Sequence, residues 1–238
     1  MKKFLNDFTK LEDMSLTVPE NKYRIYPIQH NLCDPTAQQD NVLDRLREGG
    51  AGGIVTNTTW EVPEWTFDEN NTKKLKSAVE KARERGFGVW MYDDYYYPSG
   101  LANGYAVKDH PEFLAEGIGF EAIETTKNGT YEHVLDKTHG EIFTAAVFDK
   151  DYNEIAKAHI VGNTVTALGD GILVVFYKRL ILEELDQPVG HAKGHLNHMR
   201  KDATESFIEN AFKPVDKVVG MNSFDAVFTD EPPLLRTW

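Results

Sequence analysis

Residues 68–94 read DENNTKKLKSAVEKARERGFGVWMYDD, a helical pattern followed directly by an apolar run of strand length. Apolar residues recur at helical spacing among Lys and Glu, Asp68 can cap the helix, and Gly86 can end it. The run Phe87–Tyr92 then predicts a buried strand. Apolar strands that alternate with amphipathic helices are typical of a parallel sheet with helices packed over it. This stretch therefore predicts an α/β fold.

The same alternation recurs on both sides of this stretch. Before it lies a helical segment that Thr36 can cap and Gly49 can end, and after it Lys201–Lys213 again shows helical spacing. β-rich or apolar runs flank these helices and end in polar residues. The predicted strands of the parallel sheet are Tyr23–His30, Gly52–Thr58, Phe87–Tyr92 and Phe224–Thr229.

Between Pro111 and the last helix the pattern changes from helical to β. Short β runs are separated by turn residues such as Asn128-Gly129 and Gly169-Asp170-Gly171. We expect an inserted antiparallel β subdomain here, which divides the chain into residues 1–116, 117–180 and 181–238. Its predicted strands are Gly119–Thr125, Tyr131–Leu135, Glu141–Phe148, Asn153–Ile160, Thr164–Leu168 and Gly171–Lys178.

The composition excludes several classes of function. The 238 residues include 26 Lys plus Arg and 38 Asp plus Glu, a net charge of −12 that opposes nucleic acid and anionic membranes. The content of 41% hydrophobic residues is enough for a packed core, but no apolar stretch has the length of a signal peptide or a membrane span. Cys33 is the only cysteine, which is consistent with a reducing compartment, so we expect a cytoplasmic protein. Since no glycine-rich phosphate loop occurs, we expect no nucleotide cofactor.

Polar and aromatic residues follow all four predicted strands of the parallel sheet. In such folds the loops after the strands converge on one edge, where ligands bind. Imidazole, amide and carboxylate groups can hydrogen-bond vicinal hydroxyls, and Trp and Tyr rings can pack on the apolar face of a sugar. The sequence therefore predicts a carbohydrate site. Its substrate-binding candidates are His30, Asn57, Trp60, Asp93, Asp94, Tyr95 and Tyr97, and its catalytic candidates are Asp230 and Glu231.

Two of these strand ends resemble a known enzyme family. The segment Val89–Gly104 with the following His110-Pro111-Glu112 is similar to the "W-x-Y-D-E … P-S-G-x-A-G-G … H-P-E" stretch of (β/α)8-barrel glycoside hydrolases of the α-L-rhamnosidase type. Asp202–Ile208 and Phe228–Pro232 resemble that family's helix and its "F-x-T/F-D-E-P" strand end. The chain departs from the pattern at Asp94, where the family has Glu, and at Asn103, where it has Gly.

The resemblance implies the first four strands of a (β/α)8 TIM barrel, interrupted by the β subdomain. It also implies hydrolysis of an O-glycosidic bond in a poly- or oligosaccharide. Glu231 would be the proton donor and Asp230 a polar helper, while Asp93 and Asp94 would bind sugar hydroxyls. Since glycoside hydrolysis normally needs two carboxyl groups, we expect little turnover from this chain alone and pairing with itself or with a C-terminal half barrel.

Two alternatives remain open. The first alternative to the hydrolase is a catalytically silent carbohydrate-binding or assembly module built on a half barrel. The second is an unrelated α/β enzyme that uses His30, Asp93 and Glu231 as metal ligands. Other metal patterns are weak. His191, His195 and His198 lack a regular helix, and the acidic stretch that begins at Asp149 lacks the glycine and final Glu of a calcium loop, so we predict no metal site and no cofactor.

Overall fold

The protein contains both helices and strands. The computed structural model describes residues 19–93, 95, 99–126, 128–135, 139–181, 194–230 and 232. The elements in chain order are β1 (Ile28–Gln29), α1 (Gln39–Glu48), β2 (Gly53–Thr56), α2 (Glu69–Glu84), β3 (Gly88–Tyr92), β4 (Glu116–Thr125), β5 (Thr130–Glu132), β6 (His139–Phe148), β7 (Glu154–Lys157), β8 (His159–Val161), β9 (Thr164–Thr166), β10 (Gly171–Leu180), α3 (Lys201–Ala211), α4 (Lys213–Val218) and β11 (Ala226–Phe228).

Four strands form a parallel sheet in the order β1-β2-β3-β11. Each pairs in parallel with its neighbour, with Ile28 opposite Val55, Gly53 opposite Gly88, and Ala226 opposite Trp90. The strands thus stand side by side in the order in which the chain makes them. The predicted α/β class with a parallel sheet is confirmed.

Helix α2 packs on one face of this sheet because its sequence gives it an apolar stripe and defined ends. The Asp68 side chain accepts a hydrogen bond from the Asn71 backbone N–H at 2.6 Å, and Gly86 takes a φ of 76° after the last turn. The predicted cap and stop are therefore the observed ones. The stripe joins β2 and β3 in one core that contains Ile54, Leu75, Ala78, Val79, Ala82, Val89 and Met91.

The opposite face of the sheet carries aromatic side chains. The ring of Tyr26 lies across Gly53 and Gly88, where a Cβ atom on either glycine would lie 2.6 Å from a ring carbon. Trp90 packs beside it, with its ring centroid 5.0 Å from that of Tyr26. The two glycines are required because only a bare backbone leaves room for the tyrosine ring.

The β subdomain consists of two antiparallel sheets. The larger has the order β4-β10-β6-β7 and the smaller the order β5-β9-β8. Strand β10 is the centre of the larger sheet, where it pairs with β4 along its whole length and with β6 on its other side. Its inward residues Leu173, Val175 and Tyr177 share a core with Val165 of the smaller sheet. The antiparallel strands span residues 116–180.

Several predicted elements differ from the observed ones. The single predicted strand Asn153–Ile160 is two strands, β7 in the larger antiparallel sheet and β8 in the smaller one. The first strand is only two residues long, because Pro27 has no N–H to donate to a ladder and 3-10 turns lie at Asn21–Tyr23 and His30–Cys33. Helix α1 begins at Gln39 rather than next to Thr36. The helix that starts at Lys201 breaks at Phe212, because Pro214 cannot continue the hydrogen bonding of the preceding turn.

None of the helices in the described residues has the length and apolar character that crossing a bilayer requires.

The packing of the Tyr26 ring against Gly53 and Gly88 can be tested. We expect Gly88→Ala to lower the free energy of unfolding by about 1–3 kcal/mol, the usual cost of overpacking. The cost should be much smaller in a Tyr26→Ala background, since every close contact of the added methyl is with that ring. Urea denaturation of the two single variants and the double variant measures this coupling. Gly49→Ala, whose added Cβ lies at 3.4 Å from its nearest neighbour, is the control. Equal costs in both backgrounds would contradict the packing.

Candidate functional site

The carboxyl ends of the parallel strands bring together five of the side chains that follow or end them. We call His30, Trp60, Tyr92, Tyr95 and Asp230 the edge site. The ring centroid of Trp60 lies 4.4 Å from that of His30 and 6.5 Å from those of Tyr92 and Tyr95. His30 also meets Tyr92 edge-on at 5.2 Å. Four of these residues were predicted from the sequence, and Tyr92 was assigned only to the strand.

Tyr92 connects the aromatic part of the edge site to its carboxylate. The phenol Oη donates a hydrogen bond to Oδ2 of Asp230 at 2.9 Å, and the ring stacks on Phe228 at 5.5 Å. Burial lowers the pKa of His30, and the nearby charge of Asp230 opposes part of that effect. A lowered pKa favours the neutral imidazole, which has one donor and one acceptor nitrogen.

A cavity of about 250 Å³ opens beside His30 and Trp60. Its wall is ordered by Thr59, whose hydroxyl donates to Oδ1 of Asp34 and accepts from the backbone N–H of Glu61 at 3.2 Å. The sequence prediction omitted Asp34 and Glu61 because they lie in loops several residues beyond the strands. The lining is rich in hydrogen-bonding groups for its size and consists of His30, Asn31, Asp34, Thr59, Trp60 and Glu61.

Asp93 lies beneath the edge site rather than on its surface. The side chain is 2% exposed, and its carboxylate accepts hydrogen bonds from the hydroxyls of Ser99 at 2.5 Å and Thr229 at 2.6 Å. Burial raises the pKa of Asp93, the two hydroxyl hydrogen bonds lower it, and the charge of Asp230 raises it further. Asp93 therefore joins the ends of β3 and β11 through its two oxygens.

The remaining predicted substrate-binding and catalytic residues differ in their surroundings. Asn57 is buried, its Oδ1 accepts from the Thr58 backbone N–H at 2.7 Å, and it does not line the cavity. The hydroxyl of Tyr95 donates to the backbone carbonyl of Trp60 at 2.7 Å, which fixes the indole in position. Asp94, Tyr97 and Glu231 lie outside the described residues.

The weak metal patterns are placed separately from the edge site. His195 is buried and His198 is half-buried, and burial lowers the pKa of His198. His191 lies outside the described residues. Asp149 accepts from the backbone N–H groups of Asp151 and Asn153, as expected for a hairpin turn. In the described part of the chain, the donor atoms of these two patterns do not converge as metal ligands do. The same is true of His30 and Asp93.

Comparisons of the chain with protein-family models, with curated proteins and with solved structures find no match.

The buried Asp93 carboxyl gives a prediction of pH dependence. Because its pKa is raised above 3.8, the native state keeps this proton to a higher pH than the unfolded chain does. Its contribution to stability is therefore fully present below the unfolded pKa and is lost as the pH rises through the folded pKa. We expect Asp93→Asn, which cannot ionise, to gain stability relative to the wild type as the pH rises above the unfolded pKa and through the higher folded pKa of Asp93.

Urea denaturation at a series of pH values measures this difference. Asp109→Asn, which changes an exposed aspartate, is the matched control and should follow the wild type. A difference between the wild type and Asp93→Asn that is constant with pH would contradict the raised pKa.

Proposed function

We propose that the edge site binds a carbohydrate ring. The observation that supports this most directly is the contact between the His30 and Trp60 rings beside a cavity lined with amide, hydroxyl and carboxylate groups. An exposed part of the indole offers an apolar plane for one face of a sugar, and the polar lining offers donors and acceptors for its hydroxyls. A volume of about 250 Å³ suits a single pyranose better than a nucleotide or an extended cofactor.

The proposal extends to a glycoside hydrolase barrel, of which this chain supplies the first four strands. Parallel strands that follow one another in chain order are the arrangement of a (β/α)8 barrel, whereas doubly wound sheets reverse their order. The observed order β1-β2-β3-β11 supports this part of the proposal. The face of the sheet that carries Tyr26 and Trp90 would then be the inside of the barrel. The missing strands would come from a second copy of the chain or from a C-terminal half.

In this proposal each carboxyl group has a distinct role. Glu231, as the resemblance implies, donates the proton to the leaving oxygen. Asp230, held by the Tyr92 hydroxyl at 2.9 Å, is the polar helper beside it. Asp93 is a positioning residue, since both of its oxygens accept hydrogen bonds from side chains of the protein. A second catalytic carboxyl, which activates water or attacks the anomeric carbon, completes the reaction.

Removal of the Trp60 ring tests the binding part of the proposal. We expect Trp60→Ala to weaken binding of the recognised oligosaccharide by about 10- to 100-fold, because the sugar loses its apolar platform. Binding of a panel of mono- and oligosaccharides is measured by calorimetry and by protein-detected NMR. Tyr152→Ala is the matched control, since Tyr152 is 85% exposed and lies in the β subdomain. Equal binding of the panel by the wild type and by the Trp60→Ala variant would contradict the edge site as the sugar site.

Hydrolysis of aryl glycosides tests the catalytic part. We expect the 238-residue chain to bind sugar with little or no turnover, and to turn over once the remaining barrel strands are supplied. Glu231→Gln should then lower kcat by about 10²- to 10⁴-fold and leave sugar binding in place, because proton donation is lost. Release of the phenol, followed by absorbance, measures the rate.

Two outcomes would contradict this assignment. Turnover that is unchanged by Glu231→Gln would exclude Glu231 as the acid. Sugar binding that persists with no turnover in the completed barrel would leave the protein as a carbohydrate-binding module without catalysis.

A further inference from the structure

Three side chains with metal-binding atoms converge in the β subdomain. They are Glu121 from β4, His139 from β6, and His133, which follows β5. One donor atom from each lies within 4.8 Å of those of the other two. The imidazole rings of His133 and His139 are nearly parallel, at 19°, with their centroids 5.1 Å apart. We call these three residues the inter-sheet cluster.

The convergence follows from the strand order. Strands β4 and β6 lie on either side of β10, so Glu121 and His139 approach each other across the central strand. His133 comes from the chain that leaves the smaller sheet. The Tyr177 ring packs beside both imidazoles, with its centroid 4.7 Å from that of His133 and 4.3 Å from that of His139. Gly119, opposite Tyr177, leaves space for this ring.

His133 is the unusual member of the cluster. Its side chain has no exposed surface, and neither Nδ1 nor Nε2 has a hydrogen-bond partner among the described residues. Buried polar groups in native proteins are nearly always paired, since desolvation without a partner is unfavourable. An imidazole nitrogen that faces a second imidazole and a carboxylate can be satisfied by a cation held between all three.

We propose that the inter-sheet cluster binds a divalent transition metal ion, with zinc the preferred ion. Two imidazole nitrogens and one carboxylate oxygen are donors that zinc favours, whereas calcium and magnesium favour oxygen donors throughout. The single negative charge of Glu121 offsets part of the charge of the ion. Three protein ligands leave the fourth tetrahedral position for water. The ion joins the larger sheet to the segment that follows the smaller one. This site is independent of the proposed carbohydrate site.

Zinc titration of the full chain tests the proposal. The protein is purified without a histidine tag, stripped with a chelator and titrated with ZnCl₂ in a calorimeter. We expect one zinc ion to bind and to raise Tm, because a ligand that binds only the folded state stabilises it. Cobalt(II) should replace zinc and give the intense visible absorption of a tetrahedral site.

The variants are chosen so that a loss of folding cannot imitate a loss of binding. We expect Glu121→Gln, a half-buried change that keeps the side-chain shape, to weaken zinc binding by at least about 100-fold, the upper end of the loss caused by removing groups that orient metal ligands. His133→Ala should do the same, with folding checked by circular dichroism. His159→Ala, at an exposed position on β8 of the same subdomain, is the control and should bind zinc as the wild type does.

The result that would overturn the proposal is equally specific. If Glu121→Gln and His133→Ala both leave the zinc affinity and the rise in Tm unchanged, any bound zinc lies elsewhere. A wild-type chain that gives neither heat of binding nor a shift in Tm would exclude the site altogether.

Discussion

The Asp93 carboxylate receives two short hydrogen bonds at the end of the parallel sheet, from Ser99 at 2.5 Å and from Thr229 at 2.6 Å. Ser99 in turn exchanges hydrogen bonds with the backbone of Asp230, donating its N–H to the carbonyl and accepting with its hydroxyl, both at 2.9 Å. The loop after β3 and the end of β11 are therefore held together through one buried acid. Because burial of an ionised carboxylate is costly without donors, removal of either hydroxyl would disturb both strand ends.

This junction determines where the exposed part of the edge site lies. With Asp230 fixed against Ser99, its side chain is in position to accept from the Tyr92 hydroxyl, and the Tyr92 ring then supports His30. His30 in turn contacts Trp60. These contacts lead from the buried Asp93 and Tyr92 to the half-buried rings of His30 and Trp60. A site that presents rings and polar groups on a rigid base is well suited to a neutral, hydroxylated ligand, for which orientation matters more than net charge.

The sequence was informative where the physical cause is local and poor where the cause is distant. The cap at Asp68 and the stop at Gly86 act within one turn of their helix, so the pattern predicted them correctly. The partners of Asp93 could not be read in this way, because one of them, Thr229, is 136 residues away along the chain. Asp34 lines the cavity beside Thr59, its hydrogen-bond partner 25 residues later. Residue type and strand position could therefore indicate that a site exists, but not which carboxylates face the ligand.

The parallel sheet and the β subdomain each contain a buried polar side chain, and the two differ in their hydrogen bonding. Asp93 and His133 are both buried polar side chains, but Asp93 has donors for its carboxylate while His133 has no hydrogen-bond partner for either nitrogen in the part of the chain that the structure describes. A satisfied buried group needs no ligand to explain it, and so Asp93 is a structural element of the edge site rather than its chemistry. An unsatisfied one beside a second imidazole and a carboxylate does need an explanation. No spacing in the sequence pointed to His133, because Glu121 and His139 lie on separate strands. The pairing of β10 with β4 and with β6 brings Glu121 and His139 close together, and His133 reaches them from the end of β5 in the smaller sheet.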